Sequence, residues 1–208
     1  MMSKKYRWFA FLMLLLPASA MSQEMVIDDW YATGVNLNVT IANDTGSAAF
    51  KAGTRVYVLK KDGIYAWNAT IQFAAGSIVT FRAEYGGTGH YDPMIYFFPT
   101  TAGTGAPPGR FCQMSGNSTV RMTHIMITGY EEDVDSLLRY SNTQMIQTLS
   151  TGTNNRILID SCVMKTIAGQ IIRTEGPATI IKVTNSIFAD MGHPTSNFGA
   201  GKFIDARN

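Results

Sequence analysis

Three segments in the C-terminal half of the chain align without gaps, and this internal repeat constrains the fold more than any other feature. They are Val120-Arg121-Met122-Thr123-His124-Ile125-Met126-Ile127, Ile157-Leu158-Ile159-Asp160-Ser161-Cys162-Val163-Met164 and Ile181-Lys182-Val183-Thr184-Asn185-Ser186-Ile187-Phe188. Their first residues lie 37 and 24 positions apart. In each, two alternating apolar residues are followed by two turn-compatible ones and then by a second alternating pair, which reads as strand, bend, strand. A further set follows each copy: Leu137-Leu138-Arg139-Tyr140-Ser141-Asn142, Ile171-Ile172-Arg173-Thr174-Glu175-Gly176 and Phe203-Ile204-Asp205-Ala206-Arg207-Asn208. Each repeat therefore holds a third strand. Short strands recurring at unequal intervals, with no helix between them, fit an all-β parallel β-helix whose coils differ only in loop length.

Stacking such coils sets Met122, Ile159 and Val183 in one interior column, with Ile125, Cys162 and Ser186 in a second and Ile127, Met164 and Phe188 in a third. On the third strands the alternation sends Leu138, Ile172 and Ile204 inward and Arg139, Arg173 and Asp205 outward, with Ser141, Glu175 and Arg207. A β-sandwich also shows short alternating strands, but its strands need not repeat residue by residue. Upstream, β-rich runs at Arg55–Leu59, Ile64–Phe73, Ile78–Phe81 and Met94–Phe98 are broken by Gly63, Gly76, Gly86, Gly87, Gly89 and Pro93. Residues 21–50 form an N-terminal capping segment in which the alternation from Val35 to Ile41 predicts one half-buried strand, and no amphipathic helix is expected. Residues 51–208 form the coils. The chain stops at Asn208 directly after a third-strand segment, so the expectation is an N-terminal fragment of a longer helix.

Residues 1–20 read as a secretory signal: Lys4, Lys5 and Arg7 precede an apolar run from Trp8 to Leu16, then Pro17 and the small-residue site Ala18-Ser19-Ala20. That run is too short to cross a bilayer. No later segment is long and apolar enough, so the expected mature protein is secreted or held at the cell surface without a transmembrane segment. With 46% hydrophobic and 15% charged residues the chain can bury a core. A net charge of +2 provides no basic face for nucleic acid. Cys112 and Cys162 allow at most one disulfide, and Cys162 also suits a buried free thiol.

The segments Ile159-Asp160-Ser161-Cys162-Val163-Met164 and Val183-Thr184-Asn185-Ser186-Ile187-Phe188, each followed by a strand like Ile171-Ile172-Arg173-Thr174-Glu175-Gly176, resemble the pectin-lyase-like superfamily. More narrowly, they are similar to secreted bacterial right-handed β-helix proteins of uncharacterised function, distantly related to chondroitinase-type and alginate lyases. The likeness covers roughly residues 50 to 208. It implies a right-handed helix and an acidic polysaccharide as partner, bound or cleaved by β-elimination. In that reaction a cation, often calcium, neutralises the uronate carboxylate while a base removes the C5 proton. The reading from another class is a non-catalytic surface or adhesion scaffold. The resemblance rests on core and turn positions, which specify fold and leave activity open.

Four features are candidates for chemistry. The acidic loop Glu131, Glu132, Asp133 and Asp135 offers oxygen ligands for calcium but lacks EF-hand spacing, and adjacent acids also make an ordinary solvated turn. Arg139 and Arg173, expected as stacked neighbours, together with Arg207, form a row suited to a sugar carboxylate or sulfate, or a ladder neutralised by Glu175 and Asp205. Among the histidines, His124 falls on the bend position of Ser161 and Asn185, whereas His90 and His193 sit in loops. Trp30, Trp67, Tyr85, Tyr91, Tyr96 and Tyr130 can stack on sugars or fill a core. Gly-x-Ser-x-Gly, P-loop, His-Glu-x-x-His and dinucleotide motifs are absent from the sequence. Oligomeric state is open.

Overall fold

In a computed structural model the chain is described at residues 22–98, 109–131, 139–140, 144–167, 169–191 and 202–207. It begins with β1 (Gln23–Ile27) and three short helices, α1 (Trp30–Thr33), α2 (Leu37–Asp44) and α3 (Ala48–Lys51). Successive repeats then each contribute one strand to each of three sheets. The first repeat supplies β2 (Arg55–Leu59), β3 (Ile64–Trp67) and β4 (Ile71–Phe73). The second supplies β5 (Ile78–Ala83), β6 (Met94–Phe97) and β7 (Cys112–Met114). The third holds β8 (Thr119–Thr123) and β9 (Met126–Thr128), the antiparallel pair β10 (Tyr130–Glu131) and β11 (Arg139–Tyr140), and β12 (Gln144–Thr148). The fourth holds β13 (Arg156–Asp160), β14 (Val163–Ile167) and β15 (Gln170–Thr174). The fifth holds β16 (Ile180–Thr184), β17 (Ile187–Met191) and β18 (Ile204–Ala206).

Sheet A has the order β1-β2-β5-β8-β13-β16, sheet B β3-β6-β9-β14-β17 and sheet C β4-β7-β12-β15-β18. Within these sheets all pairings are parallel, an arrangement compatible with a parallel β-helix. The expected columns hold: Met122 pairs with Ile159 and Ile159 with Val183 in sheet A, and Ile127 with Met164 and Met164 with Phe188 in sheet B. The upstream repeats continue them, with Phe81 over Met122 and Ile95 over Ile127. Ile159, Met122 and Phe81 are all buried. Each such side chain contributes about 1.5–3 kcal/mol on burial. Between Trp67 and Phe111 the core becomes aromatic, their rings stacked at 4.1 Å. Both cysteines are buried and free; desolvation pushes the Cys162 thiol up to about 11, and Cys112 is raised by the same cause.

The bends are as regular as the strands. His124, Ser161 and Asn185 adopt φ of 53°, 52° and 50°, so the corner between sheets A and B repeats one left-handed residue. The corner between C and A does the same at Gly76, Asn117, Asn154 and Ala178, where Asn117 N donates to Thr153 O at 2.6 Å. Asn tolerates this region better than most residues, which explains its recurrence there.

Two expectations are corrected. Residues 37–44 are helical, and the half-buried strand over Val35–Ile41 does not form. The alternating set Val35, Leu37, Val39 and Ile41 also contains a pair four residues apart, and only that pair, Leu37 and Ile41, is buried. Val35 and Val39 point to solvent. α2 packs against the first repeat, where Asp44 accepts from Arg55 Nε at 2.7 Å and from the Tyr57 hydroxyl at 3.0 Å. Burial, reinforced by the Asp44 charge, raises the Tyr57 pKa and keeps that hydroxyl a donor.

The second correction concerns the third strand of the third repeat. It is Gln144–Thr148, so Ile146 stacks on Ile172 and Gln147 on Arg173, whereas Arg139 lies on β11 opposite Glu131 of β10. Leu137-Leu138-Arg139-Tyr140 mimics Ile171-Ile172-Arg173-Thr174 by composition. The true strand itself contains two glutamines, Gln144 and Gln147, that pair sideways and are buried, a pattern that does not read as alternation. Ile172 over Ile204 and Arg173 over Asp205 hold as expected.

Candidate functional site on the outer sheet faces

The outward positions of sheet C form a ladder. Gln72, Gln113, Gln147, Arg173 and Asp205 follow one another across its strands. Gln113 Nε2 donates to Gln147 Oε1 at 2.8 Å. Arg173 Nε donates to Asp205 Oδ2 at 3.2 Å and its Nη1 lies 3.8 Å from Glu175, while Arg207 Nε reaches the same Asp205 oxygen at 2.9 Å. Both arginines thus converge on one carboxylate. Burial acts to raise the Asp205 pKa, but the Arg207 and Arg173 guanidiniums outweigh it and hold the group below the usual carboxylate value. The cation that the sequence reading missed here is Arg110, whose Nε donates to Gln144 Oε1 at 2.9 Å. Burial and then repulsion from Arg173 lower its pKa. No local sequence signal marks it, because the contact depends on the Gln144 register.

Of the acidic loop, Glu132, Asp133 and Asp135 lie outside the described residues, and Glu131 is fixed only as a strand position. Among the described residues no three His, Cys, Asp or Glu side chains gather to hold a metal ion.

Sheet A presents a different surface. One outward row runs Glu24, Val56, Thr80, Arg121, Leu158, Lys182, and the next runs Val26, Val58, Arg82, Thr123, Asp160, Thr184. Arg121 and Lys182 are exposed, and neither forms an ion pair among the described residues. They stand two strands apart, about 10 Å at the usual strand spacing. With Thr123, Leu158, Asp160 and Thr184 they line a groove of about 300 Å³. Asp160 Oδ1 accepts from Thr184 Oγ1 at 2.5 Å and from Asn185 Nδ2 at 3.0 Å. Those two bonds, Thr184 foremost, lower its pKa.

Thr123 is shared between this groove and a cleft of about 150 Å³ at the corner with sheet B, lined also by Lys61, Arg82, Glu84, Tyr85, Asp92 and His124. His124 Nδ1 stands 3.9 Å from Asp92 Oδ2, too long for a hydrogen bond but within electrostatic reach. The turn position expected for His124 therefore also faces an open cleft. His90 is a loop residue whose backbone N–H donates to Asp62, and His193 lies outside the described residues. Of the aromatics, Trp67 is core, Trp30 stacks on Phe98, and Tyr85 and Tyr91 are each 76% exposed. No known protein-family model and no curated protein matches the chain.

Proposed function

We propose that this chain is an exported, right-handed parallel β-helix of the pectin-lyase-like kind that binds an acidic polysaccharide along the outer face of sheet A. The observation that carries the reading is the pair Arg121 and Lys182, two exposed cations without carboxylate partners among the described residues, in one row of an open groove. Repeating carboxylates or sulfates along a glycan suit cations presented at the regular rise of a stacked sheet, and Thr123 supplies a hydroxyl beside them. Arg173 and Arg207 are spent on Asp205 and serve the sheet itself.

The test is a panel of neutral, uronate-rich and sulfated glycans presented to the purified mature protein at two salt concentrations. The acidic glycans should bind and the neutral ones should not, with affinity falling as salt rises because exposed charges are screened over about 10 Å at 0.1 M. Equal binding of neutral glycans, or none of acidic ones, would overturn the reading. Ultraviolet absorbance of unsaturated uronate products reports cleavage by β-elimination, and binding without such products removes the lyase reading and leaves the surface-scaffold reading standing.

A further inference from the structure

The outer face of sheet A is not open along its whole length. Over β8, β13 and β16 it carries the groove, but at β5 a side chain crosses it. Arg82 Nη2 donates to Glu24 Oε1 of β1 at 2.6 Å, and Nη1 donates to the Ala83 carbonyl at 2.7 Å. Since β2 lies between β5 and β1, this bridge passes over the outer surface of β2. There Val58, which pairs with Arg82 and points outward, is only 3% exposed. The Arg82 guanidinium also lies 4.1 Å from the Tyr85 ring centroid, so cation and ring form one wall.

The loop that carries Tyr85 is fixed rather than trailing. The Asp62 carboxylate accepts the backbone N–H groups of His90 at 3.0 Å and Tyr91 at 2.7 Å, and Asp62 N donates back to Tyr91 O at 3.0 Å. Those two bonds, Tyr91 foremost, lower the Asp62 pKa. The cleft lies where the groove meets this wall, and Tyr85, Thr123 and His124 all line it.

We infer that the groove is blind: a bound polysaccharide ends in the cleft, and the protein recognises a chain terminus instead of an internal stretch. The inference rests on the acidic-polysaccharide reading above. The terminal sugar has what it needs there. Tyr85 offers an exposed ring for stacking, Lys61 an ammonium without an ion-pair partner among the described residues, and His124 and Asp92 polar atoms for hydroxyls.

Calorimetric titration with oligogalacturonates from disaccharide to hexasaccharide, with heparin fragments of matching length, and with each parent polymer tests it. In whichever series binds, affinity should rise with length and then level off, and a polymer chain should take up a single protein whatever its length. Tyr85→Ala, at an exposed position, should leave the thermal transition in place. It should weaken oligosaccharide binding about tenfold. If the wild-type count already grows with polymer length, the terminus claim is overturned while the polysaccharide reading stands. If no oligomer and no polymer of either series binds, both fall.

Discussion

Sheet C and the groove strands β8, β13 and β16 of sheet A expose charged residues on the same kind of surface, at the same alternate positions, yet the two surfaces do opposite things with them. In sheet C the register sets Arg173 directly beside Asp205, and Arg207 closes on the same carboxylate. In sheet A the neighbours of Arg121 are Thr80 and Leu158, and Lys182 is likewise beside Leu158. An arginine here is structural or available according to whether a carboxylate lies within reach, one strand away for Arg173 or two strands away for Arg82. Opposite charges side by side satisfy each other, while the leucine between Arg121 and Lys182 leaves both cations facing solvent.

The harshest way to break the comparison is to remove the interior on which both faces rest. Ile159→Asp places an unpaired charge in the column between Met122 and Val183, at a side chain that is 1% exposed. It should cost about 4 kcal/mol or more, enough to abolish the cooperative thermal transition. A variant melting with the wild-type Tm would contradict the stacking register.

A milder cut separates the faces. Arg173→Ala leaves Asp205 with Arg207 alone and should lower stability by about 1 kcal/mol, read by denaturant titration, while acidic-glycan affinity stays unchanged. A fall in affinity would move the binding face to sheet C.

The smallest effect is a pH slope. The folded-state pKa of Asp205 is depressed, so its contribution is present above the unfolded value near 3.9 and is lost as pH falls through the lower folded value. Asp160 behaves in the same sense through Thr184 and Asn185. The Tm should therefore drop below about pH 4, and Asp205→Asn should flatten that drop.

The interior was legible because it repeats: Ile159 over Val183 and Met164 over Phe188 follow from gapless alignment and the period of two. The helix at Leu37–Asp44 was not, since its apolar residues satisfy both a strand period and a four-residue spacing, and only packing on the first repeat selects the pair that is buried. The strand at Gln144–Thr148 was hidden for a related reason. Glutamines that bond to the strands on either side look polar in one dimension and are buried in three, Gln147 even on the outward row. The same limit applies to the site. Arg121, Leu158 and Lys182 share one position of the aligned repeat, so their row was readable, but the lack of an ion-pair partner for either cation among the described residues and the loop that sets Tyr85 in the cleft of His124 depend on contacts a single sequence does not display.

The most direct test sets two double variants side by side, Arg121→Gln with Lys182→Gln on sheet A and Arg173→Gln with Arg207→Gln on sheet C. Both remove two positive charges, so any effect of net charge is the same in each. Calorimetric titration with an acidic glycan at low salt should show the sheet A variant losing about tenfold or more in affinity, as expected for two direct charge contacts, and the sheet C variant binding like wild type. Loss of affinity in the sheet C variant, with the sheet A variant unaffected, would contradict the assignment of the binding face.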